Sequence, residues 1–143
     1  MAVASILAQK GREVVTAPPD RSLQDVATIL AERKIGAIVI TDNSGRVLGM
    51  LSERDIVRAM AREGASALDD PVSRHMTERV ITTTEDATIP DTMERMTSGR
   101  FRHLPVIAND RLVGMISIGD IVKWRLAEIE SEHQALREYI ATA

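Results

Sequence analysis

Apolar and polar positions along this chain switch between two periods, and the whole pattern runs twice. A short β-branched run, Glu13 to Thr16, leads through a polar turn to apolar residues at helical spacing, Leu23, Val26, Ala27 and Leu30. Ser22 stands just ahead of that segment, three residues before Asp25, where its side chain can cap a helix. Ala37 to Thr41 reads as a buried strand, and Val47 to Leu51, across a turn, reads as its hairpin partner. Another helix is predicted over Ile56 to Glu63. The second half repeats this order: a run at Arg79 to Thr82, helical spacing at Ile89, Met93 and Met96, strands at Leu104 to Ile107 and Leu112 to Ile116, and a helix from Ile121 onward. Met1 to Gln9 predicts a short leading helix with Val3, Ile6 and Leu7 on one face. Ala65 to Arg74, with Ser, two Asp and Pro71, predicts a linker rather than a third element.

The repetition extends to identities. Gly49-Met50-Leu51-Ser52-Glu53-Arg54-Asp55-Ile56-Val57 aligns with Gly114-Met115-Ile116-Ser117-Ile118-Gly119-Asp120-Ile121-Val122 at an offset of 65, with six of nine positions identical. Upstream the offset is 66, pairing Ile35 to Ile40 with Phe101 to Val106. The lost residue falls in the hairpin turn, Asp42-Asn43-Ser44-Gly45 against Ala108-Asn109-Asp110, where length changes are tolerated. Each copy is strand, helix, strand, strand, helix. Alone, such a small unit would expose an apolar sheet face, so the two copies are expected to pack together.

Composition narrows the function classes. Hydrophobic residues at 44% and charged residues at 27% are those of a globular protein. A net charge of -3 with both signs interspersed offers no field for a nucleic-acid backbone, and one Phe, one Tyr and one Trp offer no stacking platform. No apolar run approaches the roughly 20 residues of a membrane span, and the start of the chain lacks the basic leading region of a signal peptide. The absence of Cys excludes thiol chemistry and suits a reducing, cytoplasmic compartment. His75 and His133 lack ligand spacing and are read as surface or structural, so no metal is expected. Glycine-rich phosphate loops and nucleophile triads are absent from the linear sequence, and the chain is not expected to be an enzyme.

The two Gly-Met-x-Ser-x-x-Asp-Ile-Val segments, the Arg102-His103-Leu104-Pro105-Val106 strand and the order of elements resemble the cystathionine β-synthase (CBS) domain family over about residues 12 to 125. The resemblance implies an α/β (α+β) fold of two tandem modules about a pseudo-twofold axis. The expected boundaries are 12–64 and 77–125 for the modules, 65–76 for the linker and 126–143 for a C-terminal helical extension. It also implies two inter-module clefts that bind adenosine-containing ligands such as AMP, ADP, ATP or NAD(H), in the service of a regulated protein partner. The competing reading is a protein-interaction module whose clefts stay empty.

A carboxylate can accept both hydroxyls of a ribose, and a strand-to-helix junction adds free backbone N–H groups and a favourable dipole. Asp55 and Asp120 are therefore the expected ribose ligands, with Ser52 and Ser117 beside them; helix capping by the same residues is the plainer alternative and is compatible with that role. The resemblance implies that each cleft is completed by the other copy. Ser52 and Asp55 would share a site with Thr82, Asp86, Arg102, His103 and Leu104; Ser117 and Asp120 would share one with Thr16, Asp20, Gly36, Ala37 and Ile38. The first cleft gathers the cations, with Arg54 also nearby. Ile121, Val122, Leu126, Ile129, His133, Leu136 and Ile140 mark one long amphipathic helix, and with the family's pairing habit they predict a homodimer.

Overall fold

The computed structural model describes residues 2–142, so the Met1 end of the predicted leading helix lies outside them. Five helices are present, α1 (Val3–Lys10), α2 (Leu23–Arg33), α3 (Glu53–Glu63), α4 (Ile89–Gly99) and α5 (Ile118–Thr142). The strands are β1 (Thr16–Ala17), β2 (Ala37–Thr41), β3 (Val47–Ser52), β4 (His103–Ala108) and β5 (Arg111–Ser117). The predicted order thus stands, with one difference between the copies.

In the first copy, β1 pairs in parallel with β2, and β2 pairs antiparallel with β3, making three strands. In the second, β4 and β5 form a two-stranded sheet, and Arg79 to Thr82 is not a strand. Only Thr83 bridges to Val106. The cause is a single residue. Val39 N–H donates to the Val15 carbonyl at 3.4 Å in the first copy, but Pro105 occupies the matching position in the second and has no N–H to donate.

Each copy has its own core. Leu23, Val26, Leu30, Ile38, Ile40 and Leu51 fill the first, and Ile89, Met96, Leu104, Val106, Ile116 and Ile121 fill the second. Helix α1 belongs to the second core although it precedes the first: Val3, Ile6 and Leu7 pack there, and Val3 and Ala4 donate backbone hydrogen bonds to Ala87 and Glu85 at 2.9 Å. The helix starts are capped as their sequences suggest, Ser22 accepting from Asp25 N–H and Thr88 from Asp91 N–H.

The segment 65–74 is more ordered than a linker. It forms two 3₁₀ turns, Gly64–Asp69 and Val72–Arg74, with Ala67 and Val72 fully buried in the first core. Of the two roles read for His75, surface or structural, the position is the structural one. Its side chain is 3% exposed, and Nε2 lies 2.8 Å from Asp70 and 3.4 Å from Glu63, while Arg74 bridges the same two carboxylates. These four residues tie the connecting segment to the end of α3. His75 Nδ1 is buried without a partner. The tautomer with the proton on Nε2 therefore suits the site, because it leaves a lone pair rather than an N–H unsatisfied.

The repeated glycines are places of close approach. At Gly49 a Cβ would stand 2.9 Å from the Thr77 carbonyl and 2.6 Å from Met76 Sδ; at Gly114 it would meet the Leu7 methyls at 2.8 Å. The connecting segment crosses the first copy where α1 crosses the second. Backbone yields less readily than the end of a leucine side chain. Gly49→Ala should therefore destabilise by about 1–3 kcal/mol and Gly114→Ala by less, an order that the denaturation midpoints in urea will read directly.

Candidate functional site

The strand-to-helix junctions organise the candidate site. At the end of β3, Ser52 Oγ accepts from Asp55 N–H, and the Asp55 carboxylate accepts from Ser52 N–H at 2.8 Å, a reciprocal box that starts α3. Ser117 and Asp120 repeat it at α5, with Ser117 N–H to Asp120 at 2.9 Å and Asp120 N–H to Ser117 Oγ at 3.1 Å. Each junction is also fastened to the start of its middle strand, Glu53 N–H to the Gly36 carbonyl at 3.1 Å and Ile118 N–H to the Arg102 carbonyl at 2.8 Å. Capping occupies mainly Asp55 Oδ2. Asp55 Oδ1 has the Thr77 hydroxyl at 3.4 Å, a long and weak contact.

A cavity of about 530 Å³ opens beside Asp55, a size that suits a small-molecule ligand. Ser52, Glu53, Arg54, Asp55 and Arg58 of the first copy face Arg79, Val80, Ile81, Arg100, Phe101, Arg102 and His103 of the second across it, with Gly36, Ala37 and Thr77 completing the wall. Five arginines thus surround two carboxylates. The sequence points to Arg54, Arg102 and His103 here, with Arg100 offered beside Arg54; Arg79, in the run expected to be a strand, carries no such signal, yet it lines the cavity together with Arg58. Thr82 and Asp86 do not line this cavity: the Thr82 carbonyl accepts from Arg95 at 3.0 Å, and Asp86 is exposed beside the Thr84 hydroxyl. Leu104 and Ile38 are fully buried in the two cores, so only their backbone could meet a ligand.

The Asp120 junction is differently engaged. Lys10, at the end of α1, donates to Asp120 Oδ2 at 2.7 Å and to the Met115 carbonyl at 2.8 Å. Burial opposes ionisation of Asp120, yet hydrogen bonds from Lys10 and Ser117 outweigh it and hold the carboxyl below its usual range. Gly36 and Ala37, expected on this side, line the Asp55 cavity instead, and Thr16 and Asp20 are exposed at and just beyond β1. Lys10 carried no motif; it lies outside both repeats and reaches the junction only because α1 packs on the second copy.

His103 stands between the two junctions. A Cβ on Gly36 would lie 3.9 Å from its ring and 4.0 Å from the Glu53 carboxyl. Burial lowers its pKa, Lys10 and Arg102 lower it further, and Asp120 and Glu53 only partly oppose them.

A model of the CBS domain matches residues 5–62 and 72–127. The chain belongs to the CBS domain family, as a tandem pair. It is similar to the crystal structure of a CBS-domain containing protein from Agrobacterium tumefaciens, with 50% identity and a TM-score of 0.83 over 87% of this chain and 99% of that one. A CBS domain protein from Pyrobaculum aerophilum complexed with AMP is 29% identical, with a TM-score of 0.73 over 84% of this chain and 89% of that one. The CBS domain pair of the protein MJ0100, in complex with 5-methylthioadenosine and S-adenosyl-L-methionine, is 26% identical with a TM-score of 0.79 over 90% and 98%. The chain spans about two thirds or less of the length of the curated relatives it matches.

The lowered pKa of His103 sets a direction for pH dependence. Below the ordinary imidazole value of about 6.5, the unfolded chain binds a proton there that the folded chain resists, so its stabilising effect is complete above that value and lost as the pH falls through the window beneath it. His103→Asn should flatten the fall of melting temperature as the pH drops below about 6.5; an unchanged slope would assign the acid sensitivity to other groups.

Proposed function

We propose that this CBS pair is a cytoplasmic regulatory module, not an enzyme, that senses an adenine nucleotide in the cleft at Asp55. The observation that supports it is the composition of that cleft: one lightly bonded carboxylate oxygen, Asp55 Oδ1, amid five arginines. A ribose diol would donate to Asp55, and the phosphates would lie toward Arg54, Arg58, Arg79, Arg100 and Arg102, which form bidentate pairs with phosphate oxygens. The N-terminus of α3 adds backbone dipoles of the same sign. Such an excess of cations favours ADP or ATP over AMP, and the terminal phosphate over a dinucleotide's internal pyrophosphate. The AMP complex of the Pyrobaculum relative supports the ligand class.

The Asp120 junction is read as closed to nucleotide while Lys10 holds its carboxylate. One ligand per chain is then expected, rather than the two that a symmetric pair would take. Occupancy of the Asp55 cleft joins the two copies across their interface, and that change would be passed to a protein partner. Self-association through α5 belongs to the same reading, since Val122, Leu126, Leu136 and Ile140 leave an apolar stripe exposed on that helix.

Titration calorimetry with AMP, ADP, ATP and NAD tests the ligand. ATP should bind at one per chain, and Asp55→Ala should weaken it by roughly ten- to a hundredfold, the loss of charge-assisted hydrogen bonds. No binding of any of these nucleotides, with no rise in melting temperature, would overturn the proposal. A separate outcome concerns Lys10: Asp120→Ala should leave ATP affinity within about threefold, whereas Lys10→Ala should raise the stoichiometry above one. Two equivalent sites in the unaltered protein would refute the closed junction.

A further inference from the structure

His103 lines the Asp55 cavity from the start of β4 and is half-buried there. Through the open space at Gly36 its ring neighbours the Glu53 carboxyl at the start of α3. Lys10 of α1 and Asp120 of α5 act on it from the other junction, and Arg102 comes next to it in the chain. Burial favours the neutral imidazole, Lys10 outweighs Asp120, and Arg102 outweighs Glu53, so the protein alone holds this ring neutral near pH 7. The rest of the cavity wall adds Arg54, Arg58, Arg79 and Arg100 against the one carboxylate of Asp55. Positive charge therefore surrounds an imidazole that carries none.

We propose that binding of a nucleotide polyphosphate in the Asp55 cleft carries a proton onto His103, so that this site answers to acidity as well as to nucleotide. The proposal rests on the nucleotide reading above and names a regulation of that same site. Phosphates seated among the arginines bring negative charge into the cavity that the ring lines. Pairing with Arg102 also cancels a repulsion that keeps the ring neutral. Direct contact between phosphate and imidazole is not required, because the interaction acts through a partly enclosed space where water screens it weakly. The proton comes from solution and no covalent bond changes. Linkage then works in both directions: a polyanion that raises the proton affinity of His103 is itself bound more tightly once that proton is present, by the same factor. Well above the ordinary imidazole value of about 6.5 neither form of the protein holds the proton, and pH has no effect through this group. As the pH falls, the bound form takes it up first, and affinity rises by up to about tenfold per pH unit until the ring of the protein alone is protonated too.

The test is calorimetry of the full chain with ATP, in pairs of buffers whose own heats of ionisation differ, which counts the protons taken up per nucleotide bound. The terminal phosphate of ATP itself titrates near pH 6, so the quantity read is the difference between the unaltered protein and His103→Gln. The unaltered protein should take up more protons than the variant near pH 6.5. Its affinity relative to the variant should rise by about three- to tenfold between pH 8 and pH 6. Equal proton counts and parallel pH profiles, with ATP still bound by both, would overturn the linkage and leave the nucleotide reading standing. No binding of ATP by the unaltered protein anywhere in that range overturns both. Proton magnetic resonance supplies a second reading that needs no change at His103. The chain has three histidines, and His75→Gln and His133→Gln assign the other two ring signals. The His103 signal should titrate at a higher pH with ATP than without it; a midpoint that stays in place or moves down overturns the linkage even if His103→Gln fails to fold.

Discussion

The reciprocal hydrogen bonding of a serine and an aspartate three residues apart is the constraint on which both halves of this protein turn. At each junction the edge strand must stop and a helix must begin, and the first N–H groups of the helix need acceptors. Ser52 with Asp55, and Ser117 with Asp120, supply them locally. The same bonds fix where each carboxylate stands. A residue whose first duty is to start a helix is thereby held at the mouth of a cleft with part of its acceptor capacity to spare.

What distinguishes the two junctions comes from outside the repeat. The copies share their hairpins, their helices, the left-handed residues Lys34 and Arg100 that end α2 and α4, and the backbone bonds that fasten each junction. They differ in what crosses them. Met76 and Thr77 cross at Gly49, and Leu7 crosses at Gly114 with Lys10 one helical turn further on. Duplication built two similar frames, and the flanking segments gave one a cavity and the other an internal ion pair.

Much of this was legible from the chain itself. The period of apolar residues located all five helices and the two hairpins, because each is amphipathic and buries one face. The repeat located both Ser-x-x-Asp junctions, and the resemblance set the two copies against each other; residues of both line the cavity beside Asp55, though Thr82 and Asp86 do not and Gly36 and Ala37 join it from the other expected cleft. The short first strand of the second copy was not realised, although its cause, Pro105, stands in plain view; a β-branched run promises a strand only when its neighbour can donate. Lys10, Arg79 and the partners of His75 were not legible. Their roles arise from tertiary placement, and no periodicity or spacing encodes which helix packs on which core.

The placement of α1 also bears on the order in which the chain can assemble. Val3, Ile6 and Leu7 precede the first module in sequence, yet they find their core among Ile89, Met96, Leu104 and Ile116, which are synthesised after it. Until those arrive, the helix has no apolar surface to cover and is too short to persist alone. The first module can collapse around Leu23 and Ile38 without it, but the second closes only when α1 meets the segments that follow the first module. That contact of high sequence separation makes closure of the second module wait on α1, so a ribosome that has just completed the first module carries a leading segment still waiting for its home.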